Sequence, residues 1–400
     1  MRPIKVVLVS TARDWHGGEQ QAFLLAQGLR QHGHDCRIVA RCGAAFGQRL
    51  EEAGFAVTTF SGKGWNPLAQ CRIRNCLRQW KPDILHFNDS HALTTGGCAG
   101  WRLHQPVRIV ARRGSAPPHS VWRYHHLADQ VVCVSRAAAR TCATAGIDRR
   151  RLGVVYDGVD PRRVAAGNRD RGRRALEIND GTKVVVCVAS LTTPKGHRCL
   201  LDAWARVVAH HSNGRVTPAA QNSPQLVLVG DGPLGPQLKQ QAEALRISNT
   251  IRFLGYREDV PDLIQAADVC TLASHLEGLG SSLIDAMLAA RPVVTTTAGG
   301  IPELLRNDSS PLAWAVRPND AAALANGLRT ALTSTAVAAQ RAASARRHAR
   351  QHFTADRMVS KTLELYEQSL SVTGTCARAG IPVCDPNKSA NRSHAVRLGI

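Results

Sequence analysis

The sequence predicts an α/β protein of two doubly wound, Rossmann-like units. Short apolar, β-branched runs alternate with helix-like patterns along the chain. That alternation occurs in two series, and an arginine-rich stretch separates them. Strand, crossover, strand is the pattern of a parallel sheet with helices on both faces.

The first series opens with Ile4–Val9, a run apolar but for Lys5 and of the kind a buried parallel strand carries. Glu19–Gln31 follows as a helix, with Phe23, Leu24, Ala26 and Leu29 available to its apolar face. Cys36–Ala40, Ile84–Phe87, Val107–Ala111 and Val131–Val134 repeat the strand signal. The second series begins near Lys183. Its strands are Val184–Val188, Leu226–Val229, Ile251–Leu254, Val269–Leu272 and Val293–Thr296. Helical patterns over Cys199–Ala209, Leu234–Leu245, Val260–Ala267 and Leu283–Ala290 connect them. Ala321–Gln351 is an Ala/Arg-rich helical region, and Asp356–Leu370 has helical apolar spacing. The reading places an N-terminal domain at 1–165 and a C-terminal domain at 175–355. Helix 356–370 returns to the first, and 371–400 is a loose basic tail. The interdomain linker falls around 160–180.

Composition narrows the class. Hydrophobic residues make up 44% of the 400-residue chain and charged residues 20%, which excludes a mostly disordered protein. Lysine and arginine number 51 against 30 acids, a net charge of +21 that attracts polyanions. Arg149–Arg151 with Arg162 and Arg163 offers a cluster for an anionic surface. The twelve cysteines lack paired CxxC spacing, so a zinc site is not expected. No apolar stretch reaches spanning length, and the N-terminus lacks a secretory pattern. The expectation is a cytoplasmic chain, peripheral on the inner face of the cell membrane.

Three segments carry chemistry. Gly17 and Gly18 sit in a strand–helix turn, where a backbone can approach an anion at a helix N-terminus. Lys195 follows a strand end, the edge at which parallel sheets bind ligands. Ser274–Met287 runs from a strand end through Gly278, Leu279 and Gly280 into a helix that starts near Ser281. Glu277 lies in its loop and Asp285 on its helix. Free amides there suit a phosphate, and the two acids suit hydroxyls. Plainer readings compete: an ordinary turn, a solvated lysine and a serine N-cap.

Taken in order, these motifs resemble a retaining glycosyltransferase of the GT-B fold, family 4 type (glycosyl transferases group 1). The resemblance spans about residues 4–370. It also rests on Leu85–His91, Val132–Ser135, Val155–Asp160, Val229–Pro233, Phe253–Gly255 and Gly299–Glu303. It implies two Rossmann-like domains facing across a cleft, the acceptor on the first and a nucleotide-sugar donor, a UDP-sugar foremost, on the second. Lys195 would hold the diphosphate and Glu277 the sugar hydroxyls. Gly278, Leu279 and Gly280 would present amides, with Ser281 beside them. Asp285 would take the ribose. Gly255, Tyr256 and Arg257 would lie against the base, and Gly17 and Gly18 would face the diphosphate.

Three positions depart from the family pattern. Asp285 stands where a glutamate is usual. Ala189-Ser190-Leu191 precedes Lys195 where an arginine is common, which leaves Arg112, Arg113 or Arg198 to replace it. Arg112-Arg113-Gly114-Ser115 stands where many members carry a histidine, so His91 and Arg113 become the catalytic candidates beside Glu277. No D-x-D sequence occurs, so no metal cofactor is expected. The expected acceptor is lipopolysaccharide core or another lipid-linked envelope glycan. Competing readings are a sugar-nucleotide epimerase, an inverting transferase, a catalytically silent scaffold and a basic nucleic-acid-binding protein. Sparse aromatics and absent motifs speak against the last, so nucleic acid is not an expected partner.

Overall fold

A computed structural model describes residues 2–62, 67–100, 103, 106–114, 116–211, 223–308 and 310–378. The first unit runs β1 (Lys5–Ser10), α1 (Gly17–Gln31), β2 (Asp35–Arg41), α2 (Ala45–Glu52), β3 (Ala56–Phe60), α3 (Pro67–Trp80) and β4 (Ile84–Phe87). It continues through α4 (Ser90–Ala99), β5 (Val107–Arg112), α5 (Val121–Leu127), β6 (Gln130–Cys133), α6 (Arg136–Thr144) and β7 (Leu152–Val154). Its strands form one parallel sheet, ordered β3-β2-β1-β4-β5-β6-β7. The order reverses between β1 and β4, and the ends of those strands open a crevice there.

Two short helices, α7 (Pro161–Ala165) and α8 (Arg169–Ala175), lead into the second unit. That unit contains β8 (Val184–Val188), α9 (His197–His211), β9 (Gln225–Val229), α10 (Gly235–Ala244), β10 (Ile251–Phe253), α11 (Val260–Ala266) and β11 (Val269–Leu272). After these come α12 (Ser281–Leu288), β12 (Val293–Thr296), α13 (Ile301–Leu304), β13 (Trp314–Val316), α14 (Ala321–Thr333) and α15 (Thr335–His352). Its parallel sheet is ordered β10-β9-β8-β11-β12-β13, with the switch between β8 and β11.

The strands at the two switch points are apolar on both faces because helices cover both faces. Val6–Val9 and Val184–Cys187 are almost without exposure. The edge strand β3 (Ala56–Phe60) is half-exposed and threonine-rich, and its faint signal was not legible in the sequence.

The stretch expected as linker is largely helical. Asp160 accepts from the Arg162 amide at the start of α7, and Asn168 accepts from the Arg171 amide at the start of α8. Arg171 then pairs with Asp262 at 2.8 Å, which fastens α8 to α11.

The chain crosses between the units twice. Val159 and Thr354 form a parallel bridge. The Val159 amide donates to Phe353 O at 3.0 Å, and the Ala355 amide to Val159 O at 2.9 Å. The last helix, α16 (Ala355–Arg378), packs on α1, where Val359 fills the space above Gly28. Tyr366 is fully buried, and its hydroxyl bonds His86 Nδ1 at 2.7 Å. This helix runs on to Arg378 rather than giving way to a loose tail at Ser371, and residues 379–400 lie outside the described part. No helix among the described residues is long and apolar enough to cross a membrane.

Candidate active site

The facing ends of the two sheets bring the sequence candidates together. On the second unit, Lys195 closes a short 3-10 turn after β8, and Glu277 sits in the loop after β11. Lys195 Nζ lies 2.7 Å from Glu277 Oε2. Ser274 Oγ donates to the same oxygen at 3.0 Å, and the Gly278 amide approaches Oε1 at 3.1 Å. Glu277 is 8% exposed, so its charge is held by three donors rather than by water.

Gly280 forms the N-cap of α12 with φ +96°, a conformation that favours glycine. Among the described residues no side chain caps that helix start, and the Leu283 amide turns back to Gly280 O at 2.9 Å. A Cβ on Gly278 would run into the carbonyl oxygen of Arg113 on the other unit. Glycine at 278 is therefore what lets the two units close to this distance. Across the same gap, a Cβ on Gly17 would stand 3.6 Å from Ser281 Oγ.

Arg113 is the cation that the first unit contributes. It lies just beyond β5, with Nη1 2.6 Å from Asp157 Oδ1. Nε and Nη2 donate to Asn88 Oδ1 at 3.3 and 3.2 Å. Asn88 Nδ2 in turn donates to Glu19 Oε1 at 3.0 Å. Gly18 abuts the Arg113 side chain. Burial pushes the Asp157 carboxyl above its usual range, and Arg113 pulls it back. Burial likewise raises Glu19. Sequence reasoning missed Glu19, Asn88 and Asp157 as site residues, although Asn88 and Asp157 lie within motifs it used.

Of the three arginines considered for the diphosphate, Arg112 turns to the Ala116 carbonyl and Arg198 to Gln237. Arg113 is the one held at the cleft, and Ser115 lies outside the described residues. His91 stands in the first turn of α4 with its side chain 86% exposed and Nδ1 4.0 Å from Asp89. It joins none of the bonds that tie the other candidates together.

Asp285 is buried on α12 and ion-paired through Oδ1 with Arg163 of α7, another partner the sequence did not disclose. Burial raises its carboxyl, and Arg163 opposes that shift. Gly255 follows β10 and bridges to Gly230. Tyr256 is exposed, and Arg257 pairs with Asp259 at 2.5 Å. Arg49 of α2 reaches across to this loop. It lies 2.6 Å from Glu258 and 3.4 Å from the Tyr256 hydroxyl, with its guanidinium over the Trp15 ring.

A further cross-unit contact is Glu303 on α13. Its carboxylate accepts from the Arg136 and Ala137 amides at 2.8 and 2.7 Å and from the Tyr156 hydroxyl at 3.1 Å. An acid from one unit thus caps α6 of the other. The linker arginines expected at an anionic surface are mostly engaged. Arg150 pairs with Asp148, Arg162 with Asp160 and Arg163 with Asp285, and Arg151 binds backbone carbonyls. The described residues contain no cluster of three or more histidine, cysteine or acidic groups placed to hold a metal ion.

Comparison with known proteins matches residues 168–351 to the family Glycosyl transferases group 1 and residues 15–163 to Glycosyltransferase Family 4. An uncharacterized glycosyltransferase of Methanocaldococcus jannaschii is 23% identical over 61% of this chain. A D-inositol 3-phosphate glycosyltransferase of Geodermatophilus obscurus is 30% identical over 64% of it. The matches span 61% and 56% of those relatives' own lengths. The crystal structure of Anabaena HepE with UDP and glucose superposes with a TM-score of 0.78 at 24% identity, covering 91% of this chain and 99% of that one. The fold is GT-B, two parallel-sheet α/β domains.

Proposed function

We propose, from the premise that both halves of this chain are of the GT4 glycosyltransferase type, that it transfers a sugar from a nucleotide-sugar donor with retention of configuration. One observation carries the reading. Lys195 and Glu277 pair on one unit, and beside them Gly278 lets the Arg113 backbone of the other unit approach.

The chemistry follows from those charges. The bond between the anomeric carbon and the diphosphate breaks as the acceptor oxygen bonds to that carbon on the same face. The acceptor proton passes to the departing phosphate oxygen. Negative charge builds on that phosphate, and fixed cations and amides aimed at it lower the barrier. Lys195, Arg113 and the amides of Leu279, Gly280 and Ser281 are the stabilising groups. Before donor arrives, Lys195 and Glu277 neutralise each other. A phosphate draws Lys195 away and leaves Glu277 to accept from the sugar hydroxyls. Asp285 keeps Oδ2 for a ribose hydroxyl while Arg163 holds Oδ1. The base lies against Gly255–Arg257. UDP is the favoured nucleotide, supported by the UDP seen in HepE. His91 stands at the acceptor side as an exposed group, and no metal is assigned a role.

The acceptor is a lipid-linked or lipopolysaccharide-core glycan at the inner face of the cell membrane, a reading supported by the +21 net charge. A second reading, favoured by the inositol-phosphate relative, is a small phosphorylated acceptor. The test is turnover of UDP-, GDP- and ADP-sugars with both acceptor classes, comparing wild type with Lys195→Ala, Glu277→Gln and Asp285→Asn. Lys195→Ala loses about 1.5–3 kcal/mol of transition-state stabilisation. Glu277→Gln lowers turnover while UDP binding is kept, and Asp285→Asn weakens UDP itself. Unchanged kinetics in all three would remove this cleft from the reaction.

A further inference from the structure

Beside the C-terminal end of α12, residues of α7, α11, α12 and α15 line an open cavity of about 190 Å3. Its polar side chains are Gln265, Arg291, Arg346 and Arg350, and no acidic residue lines it among the described residues. The volume equals about six water molecules at roughly 30 Å3 each, enough for one phosphate group and some of its water.

The three arginines differ in what they already hold. Arg291 donates through Nε to Ala289 O and through Nη1 to Ala267 O, both at 3.3 Å. It thereby caps the carbonyl end of α12, so that the negative pole of the helix does not face the cavity uncovered. Arg346 and Arg350 stand four residues apart on one ridge of α15, where like charges repel. Neither has a hydrogen bond or ion pair among the described residues. Nearby arginines contrast with them, since Arg163, Arg169 and Arg171 each pair with an aspartate. A repelling, unneutralised pair facing an acid-free cavity is a site that an anion completes, and guanidinium forks match phosphate oxygens.

We propose that this cavity is a second ligand site, separate from the sugar-transfer cleft, that binds a phosphate group through Arg346 and Arg350. The ligand class is a phosphate ester or free phosphate. A lipid headgroup at a membrane surface and a soluble phosphate share that chemistry. The inference stands apart from the sugar-transfer reading and survives its failure.

The test uses the full chain, the double variant Arg346→Gln/Arg350→Gln, and a charge-matched control, Arg347→Gln/Arg357→Gln, whose residues are exposed and lie outside the cavity. Equilibrium dialysis with inorganic phosphate forms one arm. Sedimentation with phosphatidylcholine vesicles, with and without phosphatidylglycerol, forms the other. All substituted side chains are exposed, so melting temperatures stay close to wild type. The expected result is a loss of about tenfold or more in phosphate affinity for the cavity variant, with the control unchanged. Added loss of binding to phosphatidylglycerol vesicles, again absent from the control, assigns the site to a lipid headgroup. Phosphate loss with vesicle binding equal to the control assigns it to a soluble phosphate. Cavity and control variants that behave alike in both arms overturn the proposal.

Discussion

The two units share a fold plan but build their halves of the cleft differently. The second unit presents Ser274, Glu277, the amides after it and Asp285 from a single strand–loop–helix segment, with Lys195 added from one neighbouring turn. The first unit assembles Glu19, Asn88, Arg113 and Asp157 from four separate places in the chain. One half is a local motif and the other a tertiary network. A local motif tolerates loss of one charge because its backbone donors remain. A network that holds a mostly buried acid with one arginine does not.

That contrast gives the largest expected effect. Arg113→Ala leaves the Asp157 carboxylate, 14% exposed, without its cation. Breaking a buried pair from one side costs about 3–5 kcal/mol, and the partial exposure here places the loss at about 3 kcal/mol. Lys195→Ala leaves Glu277 with Ser274 and the Gly278 amide, so stability changes far less while turnover falls. Chemical denaturation of both variants checks the order. Arg113→Met with Asp157→Asn should recover most of the stability and none of the turnover. Equal destabilisation by the two single variants would break the comparison.

The same contrast explains what could be read from the sequence. The parallel strands at both switch points were legible because helices bury both faces and force largely apolar runs. The edge strand β3, paired on one side only and half-exposed, carries no such run. Glu277 and Asp285 were legible because their spacing along one loop and helix is the arrangement itself. Asp157 and Arg163 were not, since their partners Arg113 and Asp285 lie 44 and 122 residues away. Nothing in local spacing encodes such pairs. The exposed position of His91 was equally invisible, because a histidine after a strand end reads the same whether or not its ring joins the network.

Buried histidines sharpen the comparison by a second route. His86 on β4 has a pKa lowered to about 3 by burial, with Arg113 adding to the shift. His197 at the start of α9 is lowered to about 4 by burial, with Lys195 adding. In each case the unfolded chain takes up the proton first, so stability is full above about pH 6.5 and falls as pH drops. The fall continues to about pH 4 for His197 and about pH 3 for His86. Between neutrality and about pH 5, each histidine removes roughly 2 kcal/mol. The two differ in their partners. His86 bonds the Tyr366 hydroxyl, whereas neither ring nitrogen of His197 has a hydrogen-bond partner among the described residues. His197→Leu should therefore flatten the acid side of the stability profile with little loss at neutral pH. His86→Leu should flatten it too but lose about 1–3 kcal/mol at neutral pH, because the Tyr366 hydroxyl is left buried and unpaired. Urea titrations at several pH values separate the two, and matching profiles for both variants would mean that the Tyr366 bond contributes nothing.

The smallest effect belongs to the rim, where the two units touch through exposed groups. Arg49 lies over Trp15 of its own unit and reaches Glu258 of the other, with side-chain exposures of 37% and 74%. Exposed ion pairs contribute about 0–1 kcal/mol and weaken with salt. Glu303 makes a different cross-unit contact, with two amides of α6 and the Tyr156 hydroxyl all held by one carboxylate. Losing such a cap costs about 0.5–2 kcal/mol. Arg49→Ala should thus leave the melting temperature almost unchanged, and high salt should erase what difference remains. Glu303→Ala should lower it measurably at any salt concentration. The physical reason is solvent. Water replaces the Arg49–Glu258 contact at once, whereas the α6 amides have no equally placed acceptor when the carboxylate is gone. Melting curves at low and high salt decide between them. A larger, salt-resistant loss from Arg49→Ala would show that the rim, rather than the α6 cap, holds the two units together.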